Sequence, residues 1–237
     1  MSTYVLIHGA WHGAWCWEKV VAVLEREGHK AITLDLPGHG KDTTLSQEIS
    51  LQSYVERVCQ VLDAQSEKVF LVGHSMGGIV ISQVAEYRSE KIQMLVYLCG
   101  ILLRNGQTLL QVFQQDTESL LSPNIIINAD QGVSIVREDA LKDIFYADCI
   151  DTDITRAKSL LRPQPLAPWG TPINITEEKF GRIPRVYIEC LADRAVSPSL
   201  QKQMYTALPC RQVISMDTSH SPFFCAPEKL VACLTTL

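Results

Sequence analysis

Short apolar runs alternate along the chain with stretches whose apolar positions recur every three or four residues. TYVLI (3–7), AITLD (31–35), VFLV (69–72), MLVYL (94–98), VYIEC (186–190) and QVISM (212–216) have the length and composition of strands. Several are apolar at successive positions, the pattern of a parallel strand covered on both faces. Between them Trp17, Val20, Val21 and Leu24 mark one face of a helix that Gly28 ends. Leu51, Tyr54, Val55, Val58, Val61 and Leu62 mark a second helix, and 77–87 suits a third. Ser197 followed by Pro198 reads as an N-cap and first helical residue, opening a helix through Ala207. Pro227 opens a C-terminal helix in the same way. Strand and helix in alternation predict an α/β fold around a mainly parallel six-stranded sheet.

The alternation breaks between about 101 and 183. That stretch holds helical patterns over 109–121 and 139–145, the apolar run NIIIN, and the proline-rich RPQPLAPWGTP. It reads as a cap inserted over the sheet, so that 1–100 and 184–237 form the core and 101–183 the cap or lid.

The chemistry centres on Gly73-His74-Ser75-Met76-Gly77-Gly78, a G-x-S-x-G pattern directly after a strand and directly before a helix. A nucleophile elbow needs that context: a turn sharp enough to expose a serine hydroxyl, with glycines where side chains would collide. A serine hydroxyl needs a base. Of the six histidines, at 8, 12, 29, 39, 74 and 220, only His220 follows Ser75 far enough downstream to complete the order serine, acid, histidine. Asp193, just past the strand VYIEC, is the acid expected to orient it; Asp217 competes but lies only three residues from His220. The amides of Ala10, in the loop after the first strand, and Met76, after the serine, are the expected oxyanion donors. Such a site needs His220 neutral to act as the base, so activity should fall on the acid side.

Aromatic candidates for the pocket wall are Trp11, Phe113, Phe145, Tyr146, Trp169 and Phe223, which together suggest an apolar cavity for a small acyl or aryl group.

Composition narrows the field further. The 237 residues carry a net charge of −5, without the basic excess that nucleic acid or an anionic membrane would attract. The eight cysteines contain no CxxC pair and mostly sit in apolar runs, so buried reduced thiols are expected rather than a disulfide framework. His8 and His12 lack a carboxylate or cysteine partner nearby, and no metal is expected. The opening MSTYVLIHGAWHG is unlike a secretory signal, and a cytoplasmic location follows as an expectation. A homodimer is left open.

VLIHGAWHGAWCW, LDLPGHGKD, VGHSMGG, PRVYIECLADRAV and SHSPFFCAPEKL together resemble the methyl-esterase and hydroxynitrile-lyase branch of the α/β-hydrolases, which includes the salicylate-binding methyl esterase. The resemblance covers nearly the whole chain and is weaker over 101–160. It implies Ser75, Asp193 and His220 as the triad, a helical cap, no metal or organic cofactor, and methyl or short-chain esters of small acids as substrates. The lyases resemble HTxCH where this chain has His8-Gly9-Ala10-Trp11-His12, and carry a lysine where it has Ser221. DLPGHG is a loop style of bacterial hydrolases, which sets the chain apart from the plant-hormone esterases. The reading is therefore a serine carboxylesterase; a hydroxynitrile lyase, or a slow-turnover ligand receptor on the same fold, is the alternative.

Overall fold

A computed structural model describes all residues 1–237. Six parallel strands form the main sheet: β1 (Thr3–Ile7), β2 (Lys30–Thr33), β3 (Val69–His74), β4 (Ile92–Leu98), β8 (Arg185–Cys190) and β9 (Gln212–Met216). Their spatial order is β2-β1-β3-β4-β8-β9. The central strands are buried on both faces, with every residue of β3 inside, whereas the edge strands β2 and β9 are partly exposed. That difference explains why the inner strands read as continuous apolar runs. β2 ends earlier than the run AITLD suggests, because Asp35 turns away to accept hydrogen bonds from the Ala14 N–H at 2.7 Å and the Lys41 N–H at 3.0 Å.

The helices of the core are α1 (Glu18–Arg26), α2 (Leu51–Asp63), α3 (Gly77–Tyr87), α8 (Pro198–Ala207), α9 (Pro222–Cys225) and α10 (Pro227–Thr235). Gly28, at φ 81°, ends the chain's run out of α1 in the left-handed conformation glycine favours. The Ser197 side chain accepts from the Leu200 N–H and caps α8.

The cap holds α4 (Leu109–Phe113), α5 (Leu141–Phe145), α6 (Asp151–Leu160) and α7 (Ala167–Gly170), with a small antiparallel sheet in the order β5 (Ile125–Asn128), β6 (Val133–Val136), β7 (Gln164–Pro165). Here the sequence pattern and the structure differ. The pattern over 109–121 stays helical only to Phe113; the chain then turns so that buried Asp116 can accept from the Ser197 N–H at 2.9 Å. NIIIN becomes an exposed hairpin strand, and α6 carries only two buried residues, Ile154 and Ala157, too weak a stripe to read. No helix is long and apolar enough to cross a membrane.

One contiguous apolar cluster includes core residues such as Leu71 and Val96 together with the cap residues Phe113, Tyr146 and Trp169. Five cysteines are buried within the fold, while Cys210, Cys225 and Cys233 are partly exposed.

Candidate active site

The chain leaves β1 toward β2 on one side and returns through β3 on the other, so the loops after β1 and β3 diverge beside each other. Ligand sites of open α/β sheets form at such a switch point. Register fixes the alignment: Ile7 lies opposite Gly73, which brings Gly9 level with Ser75 two residues further on. Farther along the sheet, Cys190 lies opposite Met216, and the two following loops carry Asp193 and His220.

Ser75 has φ 51°, a strained conformation for a residue with a side chain. From Val69 to Ala85 every residue is buried except Ser75. The strain is held in place by close approach on both sides. A Cβ on Gly73 would stand 2.7 Å from the Gly77 carbonyl oxygen, and one on Gly77 would stand 2.8 Å from that of Ile7. Only glycine lets β3, the turn and α3 press together this closely.

The His220 Nδ1 and Asp193 Oδ2 are 2.7 Å apart, and both side chains are buried. The same carboxylate accepts from the Ala195 N–H at 2.8 Å, the Val196 N–H at 3.0 Å and the Gln201 amide at 3.3 Å. These donors fix the carboxylate, and Nδ1–H donation to it leaves Nε2 of His220 as the lone-pair nitrogen. Asp217 is exposed and makes no side-chain hydrogen bond.

The His74 ring lies tilted against the His220 ring, with centroids 4.6 Å apart, and its Nε2–H donates to the His220 carbonyl at 2.9 Å. From the cap, Asp148 accepts from the Ser219 N–H at 2.7 Å and also from the Ser219 hydroxyl. The loop bearing His220 is thus held by the elbow from below and by the cap from the side. Neither contact shows in the sequence pattern, because the partners lie far apart in the chain.

The loop after β1 is braced by its own histidines. His8 Nδ1–H donates to the Gly9 carbonyl at 2.8 Å, while His8 Nε2 accepts from the Leu36 N–H at 3.1 Å. His12 Nδ1–H donates to the Ala10 carbonyl at 2.8 Å, and the Tyr146 hydroxyl donates to His12 Nε2 at 2.8 Å. Both ring nitrogens of each are engaged, so neither is available to a metal. Burial lowers the pKa of His12 to about 4 and holds His8 and His74 well below the ordinary histidine value.

Ser75 shares a narrow cavity with Ala10, Trp11, Met76, Ile101, Leu109, Phe113, Leu121, Trp169 and Val196. Its free volume is about 20 Å³, the room of one water. The Ala10 and Met76 N–H groups donate to no protein acceptor. Of the aromatic candidates, Trp11, Phe113 and Trp169 line this cavity. Phe145, Tyr146 and Phe223 do not. Phe145 packs on the His220 ring at 5.6 Å, Phe223 on the His74 ring at 4.9 Å, and Tyr146 holds His12. They support the histidines behind the site, a role that aromatic content alone does not distinguish from lining.

The chain matches the model of the alpha/beta hydrolase family over residues 4–232. It is 32% identical to methylesterase 1 of Arabidopsis thaliana, over 96% of this chain and 92% of that protein. Several chloroplastic plant relatives are longer, and the chain spans 54% to 70% of their lengths. Among solved structures, a pyrethroid hydrolase from Sphingobium faniae JZ-2 superposes with a TM-score of 0.89 at 28% identity, covering 99% of this chain and 96% of that one. The methylketone synthase I of tomato, complexed with 2-tridecanone, superposes with a TM-score of 0.89 at 26% identity and the same coverage.

Proposed function

The chain belongs to the alpha/beta hydrolase family, in its methylesterase-like branch of ester hydrolases, and from that premise we propose that it is a serine carboxylesterase acting on methyl and short-chain esters. The observation that carries this reading is the shared cavity: a strained, partly exposed serine lines the same small space as Ala10 and Met76, whose backbone N–H groups have no protein acceptor.

In the proposed reaction His220 Nε2 takes the Ser75 proton as the hydroxyl oxygen attacks the ester carbonyl. The Ala10 and Met76 amides receive the charge that develops on the carbonyl oxygen. Asp193 keeps the imidazole in the required tautomer and balances its charge once protonated. The same histidine then gives its proton to the leaving alkoxide, and water, activated by His220, releases the acid from Ser75. The cavity walls are nearly all apolar, and its narrowness, with room for no more than one water before the walls give, favours the smallest acyl groups over long chains.

A hydroxynitrile lyase is the second reading, and the structure's local geometry opposes it. A side chain at position 9, where those lyases carry threonine, would place its Cβ 2.8 Å from the Ser75 Cβ. Ser221, where they carry lysine, is fully buried.

A panel of p-nitrophenyl esters from acetate to palmitate tests the proposal. Hydrolysis should be greatest on the shortest chains and fall steeply with length. Ser75→Ala should lose about three or more orders of magnitude in kcat while remaining folded. Retention of more than a few per cent of turnover would remove Ser75 as nucleophile. A maximum at palmitate would replace the esterase reading with a lipase, and release of cyanide from mandelonitrile well above background would restore the lyase. A single turnover with retained product would favour a ligand receptor.

A further inference from the structure

We propose that Asp148, Cys149 and Cys225 form a binding site for one thiophilic divalent cation of the zinc type, joining the cap to the segment that follows His220. The ligand atoms of these three residues, a carboxylate oxygen and two sulfurs, all lie within 4.8 Å of one another. Cys149 follows α5 in the cap; Cys225 ends α9, the short helix directly after the His220 loop.

A tetrahedral zinc ion holds sulfur at about 2.3 Å and carboxylate oxygen at about 2.0–2.2 Å, which places its ligands roughly 3.5–3.8 Å apart. The three groups therefore need to draw together by about 1 Å, which rotation of two cysteine side chains supplies. Neither thiol is committed to a strong partner. Cys225 donates weakly to the Ser221 carbonyl at 3.6 Å, and Cys149 lies 3.9 Å from the Asp148 carboxylate. Asp148 already accepts from Ser219, but a carboxylate has lone pairs to spare for a cation. Cys225 and Asp148 reach the surface, which leaves an entry path and a fourth position for water.

The surroundings favour positive charge. The carboxylates of Asp148 and Asp153 lie close enough to the Cys149 thiol to act on it electrostatically. Asp153 is itself paired with Lys19 at 2.6 Å, which offsets its charge, so the negative potential beside the thiols comes chiefly from Asp148. A bound dication takes the place of two thiol protons, which leave to solvent, so binding strengthens as pH rises. Nothing in this balance requires an oxidant.

The test uses the full chain, stripped of metal under a phosphine reductant and titrated with Co²⁺ alone. One equivalent should produce a sulfur-to-cobalt charge-transfer band with intense tetrahedral d–d absorption, and Zn²⁺ should bleach both. Cys149→Ser and Cys225→Ser should each weaken binding by about tenfold or more. A featureless octahedral spectrum, or the same band at the same affinity in both variants, would overturn the site. A second measurement needs no variant. Zn²⁺ should slow alkylation of Cys149 and Cys225 in the wild-type chain by about tenfold. Cys210 and Cys233, partly exposed like Cys225, should react at unchanged rates. Equal slowing at all four, or at none, would refute the proposal.

Discussion

Gly9 is the residue at which the geometry leaves least room. A methyl group there would meet the Ser75 Cβ at 2.8 Å and the His74 Nδ1 at 2.9 Å, displacing the serine and the residue that bonds the His220 carbonyl together. Gly9→Ala should therefore reduce kcat by about a hundredfold or more, the cost of misplacing reacting groups by about 1 Å. Steady-state kinetics beside a melting curve checks this: a folded variant with wild-type kcat would show that the loop yields. Some of the site is legible in the sequence at this scale. Ser75 stands in a strand–glycine–helix context, one histidine lies downstream of it, and Asp193 follows a strand end. The bracing of these residues is not legible. Tyr146 reaches His12, and Asp148 reaches Ser219, only because the fold brings distant segments together. No periodicity or short motif encodes such a pair.

Among the elements, α4 contributes the wall that limits the cavity. Its start is set by the Thr108 capping box with Gln111, and it presents Leu109 and Phe113 toward Ser75. With so little free volume, acyl length is decided by whichever side chain stands at the blind end. Phe113→Ala should raise kcat/KM for hexanoate relative to acetate by about tenfold, within the usual worth of a few methylenes in an apolar pocket. The ratio is internal to one protein, so a loss of stability does not distort it; an unchanged ratio would place the limit elsewhere, at Trp169 or Leu121. The inner parallel strands and the longer helices of the core follow closely from their apolar patterns, because each buries a full face and a strand's register then leaves no choice. The cap is harder to read. Its short elements are fixed by tertiary bonds such as Asp116 to Ser197 and by a hairpin whose isoleucines face outward, Ile127 at 62% exposure. Hydrophobic patterning carries no information where the apolar side is the outer one.

For the molecule as a whole, the buried histidines set an acid limit. His12 is neutral inside with a pKa of about 4 and ordinary, near 6.5, in the unfolded chain. Between those values the unfolded state binds the extra proton, so stability is full above about pH 6.5 and falls as pH drops toward 4. For His12 alone the loss is about 3 kcal/mol. His8, His39 and His74 act in the same direction through burial. The melting temperature should therefore decline steeply from pH 6.5 to 4, and less steeply in His12→Gln; a flat profile would contradict the burial argument. The hold of the cap on the loop before His220, through Asp148 and Ser219, bears on how such proteins can be recombined. Ser75, Asp193 and His220 all belong to the core segments, so a chimera that keeps this core and takes another relative's cap would inherit every reacting group of the proposed mechanism. It would still lose the clamp on its histidine unless the donor cap brings an acceptor to the place of Asp148. Grafting for new specificity should accordingly splice within 109–136, around the acyl wall, and leave 141–149 with its native core.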